Sequence, residues 1–453
     1  MNCMVKQIAA LVVVLMMVLS ISVAALGEPP VTSTEALILI DADTGEVLYK
    51  KNENAKMYPA STTKIMVALL ALETLELDEM VTATNSAISL LPPGHTNIGI
   101  LNGESLSVRQ LLYALMLPSA GDAANVLGER ISGSVDAFIG LMNKRALELG
   151  MKNTNYMNAS GAHDDLHYTT ASDMAILARE AMKNEVFREI VKTDVYIIPA
   201  TEKYTEERRL LNTNHLISKK RSSKYFYQYA TGIKTGFTNP AKRCLVSSAT
   251  KNGMNFICVA LGAEVVDMAQ MDFVDSKNLF EYGFSNYKRS SVVKMGTIVA
   301  QAPIKSAKGE NQVLLEAGVD LTQLLGIDQE LGLVEHTDTI TKNIKAPVKK
   351  GDVLGTAEYF VDSVSIGQIP LVATKDYAFD PIKNILNVIG KAFAWISVPV
   401  ILFFIALIVI RQYNYNKRMK ERTAARRRMK ELEAEKRREE MKTDKYLQDF
   451  LNK

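Results

Sequence analysis

A serine three residues before a lysine can support acyl transfer if both side chains lie on one turn of a helix. The chain of 453 residues holds four Ser-x-x-Lys tetrads, starting at Ser61, Ser248, Ser285 and Ser291. Position separates them. Only Ser61-Thr62-Thr63-Lys64 opens a run, residues 64–72, that is apolar almost all round and predicts a helix at the centre of a domain. Residues i and i+3 share a helix face, so the Lys64 amine is expected within reach of the Ser61 hydroxyl. The serine also sits where free backbone N–H groups and the helix dipole favour a developing oxyanion.

A hydroxyl is a poor nucleophile until a base takes its proton, and a lysine is a base near neutral pH only if its pKa falls. Burial and a second nearby cation both lower it. Lys234-Thr235-Gly236, on a predicted strand, supplies the candidates: Lys234 as the second cation, Thr235 as a hydroxyl for a carboxylate, and Gly236 as a point where a substrate backbone can come close.

These residues need a scaffold. A hairpin is predicted over 36–49 around Asp41-Ala42-Asp43-Thr44-Gly45, then helices over 108–116, 123–131, 135–149 and 171–182. Strand patterns return at 195–199, 232–235, 243–249 and 255–262, with Gly253 turning the last two into a hairpin. Strands at both ends of a helical middle predict an α+β domain, an antiparallel sheet flanked by helices, over residues 30–284. Short β-rich segments at 292–300, 312–316, 337–344 and 359–369 predict a separate small all-β domain over residues 287–378.

The wider setting of the tetrads is narrower than chemistry alone requires. Tyr58-Pro59-Ala60-Ser61-Thr62-Thr63-Lys64, Leu117-Pro118-Ser119, Asp122-Ala123-Ala124, His167-Tyr168-Thr169-Thr170-Ala171 and Gly232-Ile233-Lys234-Thr235-Gly236-Phe237-Thr238 resemble the low-molecular-weight penicillin-binding proteins, the D-alanyl-D-alanine carboxypeptidases of the S11 type. The resemblance covers about residues 30–378, the β domain included. It implies the β-lactamase/transpeptidase-like fold. It also implies that Ser61 attacks the penultimate D-alanine carbonyl of a peptidoglycan stem pentapeptide, with Lys64 as general base and Ser119 relaying the proton. Lys234 with Thr235 would hold the substrate's terminal carboxylate, Gly236 and Phe237 would line the same substrate-binding strand, and the backbone N–H groups of Ser61 and Phe237 would form the oxyanion hole. β-Lactams would acylate Ser61.

Two departures from the family pattern stand out. The second motif usually reads Ser-x-Asn; here Gly121 follows Ser119-Ala120, so the amide that would contact Lys64 and the substrate backbone is missing. Asn125, a helical turn on, is expected to point elsewhere, and Gly121→Asn is expected to raise turnover. At Asn212-Thr213-Asn214, Thr213 stands where some relatives carry a carboxylate-binding arginine. Ser119 can also cap the helix after it, a role compatible with relay. His167 is expected to be a hydrogen-bonding residue of the scaffold, and Tyr58 a packing residue. The alternatives on this scaffold are a β-lactamase, a D,D-endopeptidase, or a catalytically impaired cell-wall binding protein whose tail recruits cytoplasmic partners. No clear Glu-x-x-x-Asn deacylation motif occurs near residues 150–170, which disfavours an efficient class A β-lactamase.

Compartment follows from the two ends. Residues 1–25 carry one basic residue, Lys6, an apolar run and small residues at Ser22, Ala24 and Ala25, the pattern of a signal peptide or, uncleaved, of an anchor. Residues 392–410 contain no charge and lie between Lys391 and Arg411, long enough for one transmembrane helix. The tail, 411–453, has 15 Lys/Arg against eight Asp/Glu, which the positive-inside rule puts in the cytoplasm, with the catalytic domain outside. A helical, solvated tail is expected, with partner or lipid binding as the other reading. The tail holds 15 of the chain's 53 basic residues and eight of its 50 acidic ones, so the remainder carries a net −4. No basic face remains for nucleic acid. No cofactor or metal is expected: the five histidines form no ligand pattern with carboxylates, and Cys3 lies in the leader. Cys244 and Cys258 read as buried hydrophobes or, if their strands are neighbours, as one bridge.

Overall fold

The computed structural model describes residues 27–451, so the predicted leader at 1–25 lies outside the described residues. The chain divides into two units: the first runs to Val292 and takes back Thr322–Gly332, and the second holds Val293–Leu321 and the chain from Leu333 onward.

The first unit is built on one five-stranded antiparallel sheet. Its strands are β1 (Ala36–Asp41), β2 (Val47–Lys51), β3 (Ala230–Thr238), β4 (Lys242–Lys251) and β5 (Met254–Ala263), in the spatial order β2-β1-β5-β4-β3. The Asn252-Gly253 turn predicted from sequence joins β4 to β5, both residues having positive φ as a tight hairpin requires. One face of the sheet is covered by α1 (Lys64–Thr74), α2 (Asn85–Ser89), α3 (Val108–Met116), α4 (Gly121–Ser132), α5 (Val135–Leu149), α6 (Ala171–Ala181) and α7 (Glu185–Lys192). The other face packs on α8 (Met271–Asn286), through Phe273, Leu279 and Phe280. The first and last strands of the unit meet side by side, Ile38 opposite Val259, which closes one core around the intervening helices.

Helix α1 is the axis of that core. Lys64 through Ala71 are all buried, in keeping with its unbroken apolar run. Helices α2, α7 and α8 are not legible in the periodicity. Asn85–Ser89 is barely more than a turn, and Met271–Asn286 buries Asp272, Asp275 and Ser276, which masks its inner face. In α8 one oxygen of each aspartate is paired: Asp275 accepts from the N–H groups of Ser33 and Thr34, and Asp272 pairs with Arg243 at 2.9 Å. Cys244 and Cys258 lie on the neighbouring strands β4 and β5, but Cys258 stands opposite Ser247, so the register separates the thiols and both are free. The bridge considered from sequence is absent.

The predicted segment 292–300 is two strands, broken at Lys294–Thr297 where Gly296 turns with φ +83°. The first of them, Tyr287–Val293, pairs with Leu321–Gly326, a pair that belongs to the first unit but for the end residues Val293 and Leu321. The second unit holds a second antiparallel sheet of β6 (Ile298–Pro303), β7 (Gln312–Ala317), β8 (Val334–Ile340), β9 (Val353–Val361) and β10 (Val364–Ala373), in the order β6-β7-β10-β9-β8. Strand β8 replaces the predicted 337–344. The single strand expected at 359–369 is instead a hairpin turned by Asp362-Ser363, both with positive φ; without glycine or asparagine there, the turn carries no strong sequence signal. Helix α9, Pro381–Leu451, runs unbroken through Pro399. It is long and apolar enough to cross a membrane.

One polar contact fixes a wall of the first unit. Glu104 receives two guanidinium N–H groups of Arg208 at 2.8 Å each, both residues being buried, and the half-buried Thr201 hydroxyl, and Arg208 also donates to the carbonyl of Gly99. Removing one member strands the other charge in the interior. Arg208→Met is expected to lower unfolding free energy by about 3–5 kcal/mol in urea titration, well beyond an exposed-pair effect.

Candidate active site

Ser61 lies in a 3-10 turn, Ala60–Thr63, which runs directly into α1 at Lys64. The spacing of three then acts as expected: Lys64 Nζ lies 3.1 Å from Ser61 Oγ. The same amine donates to the carbonyl of Ser160, and it is almost completely buried. Burial pushes its pKa from the ordinary lysine range down to about 7, with the Asp122 carboxylate pulling the other way. The turn is gripped from outside: Gly161 has φ +75°, and a β-carbon on it would run into the carbonyl of Ala60. The Ser160-Gly161 bend thus supplies both the second acceptor for Lys64 and the clearance for the turn. Sequence reading missed it; its only signal is the polar Asn158-Ala159-Ser160-Gly161 stretch between helices.

Strand β3 approaches from the other side. At Gly236 a β-carbon would stand 3.0 Å from both the Pro59 carbonyl and the Ser61 nitrogen, so glycine lets the strand lie against the nucleophile's turn. Lys234 is buried and donates to the carbonyl of Thr235 at 3.0 Å. Burial, and then the charge of Lys64, hold its pKa well below the ordinary value. Thr235 and Thr213 share a hydrogen bond of 2.6 Å, and Thr213 donates to the carbonyl of Leu117 at 3.2 Å. Phe237 turns its ring to solvent, leaving its backbone beside the turn.

Ser119 forms the third edge. Its φ is +74°, uncommon for a residue with a side chain, and its hydroxyl is buried with no hydrogen-bond partner among the described residues. The capping role considered for it is not used: the N-cap of α4 is Ala120, with no side-chain cap. Asp122, in the first turn of α4, accepts from the N–H groups of Ile98 at 3.2 Å and Ile100 at 3.0 Å, and burial raises its pKa. Asn125 donates to the carbonyl of Ala87 at 3.1 Å, away from the site.

His167 is fixed as a neutral scaffold residue. Its Nδ1 accepts the Met157 N–H at 3.2 Å, which leaves Nε2 to donate to the Thr63 hydroxyl at 2.8 Å. Burial takes its pKa down to about 4. Tyr58 meets His163 edge-on, a packing contact. A cavity of about 680 Å³ lies elsewhere in the unit, between Arg179, Arg188, Thr231 and Asn255; it contains no nucleophile paired with a base. Among the described residues no cluster of His, Cys, Asp and Glu could hold a metal ion.

The site therefore brings together a serine, the buried lysine of α1 and the buried lysine of β3, while the unpaired Ser119 hydroxyl lies in the segment between Leu117, which accepts from Thr213, and Asp122, whose charge acts on Lys64. Comparison with known proteins gives this arrangement its relatives. Residues 23–265 match the family model described as D-alanyl-D-alanine carboxypeptidase, and residues 287–378 match that of the penicillin-binding protein 5 C-terminal domain. The chain is 33% identical over 348 residues to D-alanyl-D-alanine carboxypeptidase DacF of Bacillus subtilis, a match that covers 76% of this chain and 85% of the relative. It is 31% identical over 359 residues to DacC of Escherichia coli, covering 77% and 85%. Penicillin-binding protein 5 from Haemophilus influenzae superposes with a TM-score of 0.56 at 27% identity, covering 78% of this chain and 99% of that one. The Streptomyces K15 DD-transpeptidase superposes at 0.52 with 32% identity, over 57% and 99%. The chain belongs to the S11 family of D-alanyl-D-alanine carboxypeptidases and carries the C-terminal β domain of penicillin-binding protein 5 behind its catalytic domain.

Proposed function

We propose that the chain removes the terminal D-alanine from peptidoglycan stem pentapeptides through an ester on Ser61. The observation that carries this reading is the 3.1 Å contact between the Ser61 hydroxyl and a buried Lys64 amine whose pKa lies at about 7. An amine of that pKa is largely neutral at physiological pH and takes the hydroxyl proton as Ser61 Oγ attacks the penultimate D-alanine carbonyl. The oxyanion that forms faces the N–H groups of Ser61 and Phe237. The proton passes through Ser119 to the leaving nitrogen, the C–N bond breaks, and D-alanine departs. Water then attacks the ester and returns the proton to Ser61. Lys234 with Thr235 holds the substrate's terminal carboxylate, and Gly236 lets the peptide run alongside β3. A β-lactam presents a strained amide to the same serine. A silent binding protein would have no need of a buried lysine with a lowered pKa against a serine hydroxyl.

The likeness to a protein described as a DD-transpeptidase supports a second reading, in which an amine rather than water takes the acyl group. The products differ: a shortened acid in one case, a new amide in the other.

We further infer that α9 anchors the enzyme, with the catalytic domain outside the cytoplasmic membrane and the basic residues after Arg411 inside. Cutting the chain after Asp380 is expected to move the protein, once its leader is removed, from the membrane to the soluble fraction; membrane retention of a product whose N-terminal sequence shows the leader removed would overturn the anchor.

Two measurements test the chemistry. With the full chain in detergent, labelled penicillin is expected to bind one equivalent covalently and a D-Ala-D-Ala peptide to release D-alanine, both lost in Ser61→Ala. Release that survives that substitution would exclude the mechanism. For pH dependence, Lys64 works as the neutral amine, so its protonation removes activity. The acylation rate constant is expected to fall about tenfold per unit below pH about 7 and to level off above it. A profile flat from pH 5 to pH 8, a window of about three units around that pKa, would remove Lys64 as the base.

A further inference from the structure

Gly121 is not required by the backbone. Among the described residues with positive φ it does not occur, and it begins α4 in ordinary helical conformation. What requires glycine is space. A β-carbon there would collide with Leu91 Cδ1 and come within 3.3 Å of Leu91 Cδ2 and of the Thr96 carbonyl. The volume that a side chain at position 121 would fill is therefore filled from a different segment, by a leucine methyl.

That segment is held down along its length. The Gly121 N–H donates to the Thr96 carbonyl at 2.7 Å, the Asp122 carboxylate takes the N–H groups of Ile98 and Ile100, and Asn125 ties the carbonyl of Ala87. Further along, the Ser86 hydroxyl donates to Glu129 at 2.5 Å. Residues 86–100 thus lie against α4 through contacts before and after Leu91, which sets the leucine methyls against position 121, two residues along the chain from Ser119.

We infer that Leu91 is a selectivity-determining residue of this enzyme, its side chain replacing with an apolar surface the amide that would otherwise read the substrate backbone next to the scissile bond. The inference rests on the acyl-transfer reading of Ser61. Its consequence follows from the asymmetry of polar recognition: a site that hydrogen-bonds a substrate group rejects analogues lacking it, whereas an apolar wall discriminates weakly. The wild-type enzyme reads that backbone amide poorly and accepts an ester in its place. It also predicts that Gly121→Asn alone restores the amide poorly. The new side chain must displace the Leu91 methyls and fit beside the Thr96 carbonyl, and cutting Leu91 back removes the first of these obstacles.

The test compares acetyl-L-lysyl-D-alanyl-D-alanine with the analogue in which D-lactate replaces the penultimate D-alanine, turning the preceding amide into an ester but leaving the scissile bond the same. The full chain is assayed in detergent as wild type, Leu91→Ala, Gly121→Asn and the double variant. The ratio of kcat/KM for the two substrates on one preparation is independent of the fraction of folded enzyme. Wild type is expected to favour the amide by no more than about threefold, and the double variant by about tenfold or more. Gly121→Asn alone is expected to lose activity that the double variant regains, a coupling that independent sites do not show. A wild-type ratio as large as that of the double variant, or a Gly121→Asn enzyme equal to the double variant in rate and ratio, would overturn the inference. Penicillin labelling of wild type is done first; failure of that step would overturn the reading of Ser61 itself, and the inference with it.

Discussion

The dehydrated amine of Lys64 is the constraint around which the rest of the unit is arranged. A lysine in water holds its proton far above neutral pH and cannot deprotonate a serine. Removing that water costs free energy, which the structure limits in three ways: a hydrogen bond to Ser61, another to the carbonyl of Ser160, and the Asp122 carboxylate near enough to affect its titration. Each of these makes a demand on the fold. The Ser160 carbonyl arrives only because Gly161 can turn left-handed against Ala60, and the far wall closes only because Gly236 has no side chain to strike the Ser61 turn. Two glycines and a 3-10 turn thus follow from one buried charge.

A second consequence concerns what the departures from the family pattern do to the wall. The missing amide at position 121 leaves no void, because Leu91 occupies the volume and the Thr96 carbonyl meets the Gly121 N–H. At position 213 a threonine stands where some relatives carry an arginine, and the Arg221 guanidinium donates to the carbonyl of the adjacent Asn212 at 2.9 Å. Thr213 itself binds Thr235, so the hydroxyl set to meet a carboxylate is held in place by its neighbour. In both places the site keeps its packing and gives up a polar contact to substrate. That pattern is what a retained reaction with altered selectivity would leave behind.

Much of this was legible in the sequence because it is local. The i, i+3 relation of Ser61 and Lys64 needs only a helix, and the helix needs only an apolar run. The hairpin at Gly253 and helices α3 and α5 were equally plain, since caps and periodicity lie within a few residues. What escaped depends on distant partners. Leu91 lies 30 residues before Gly121, and nothing in either segment announces the other. Helix α8 hid its inner face because Asp272 and Asp275 satisfy their charges on Arg243 and on the N–H groups of Ser33 and Thr34, which no window contains. The hairpin at Asp362-Ser363 lacks the residues that usually mark a left-handed turn. The cysteines required a register, which propensity does not supply.

The two lysines also bear on why such an enzyme would trim only chain ends. Each is depressed by burial, and Lys234 is depressed further by the charge of Lys64, so the pair resists holding two protons with Asp122 as the nearby counter-charge. On the proposed reading, in which Lys234 meets the substrate's terminal carboxylate, that group stabilises a proton on Lys234 while its own negative charge offsets the new cation, so Lys64 keeps the lowered pKa that its burial gives it. A peptide without a free terminus leaves Lys234 a buried amine with no counter-charge. Selectivity for chain ends then rests on binding, through a charge pair that a blocked terminus cannot form.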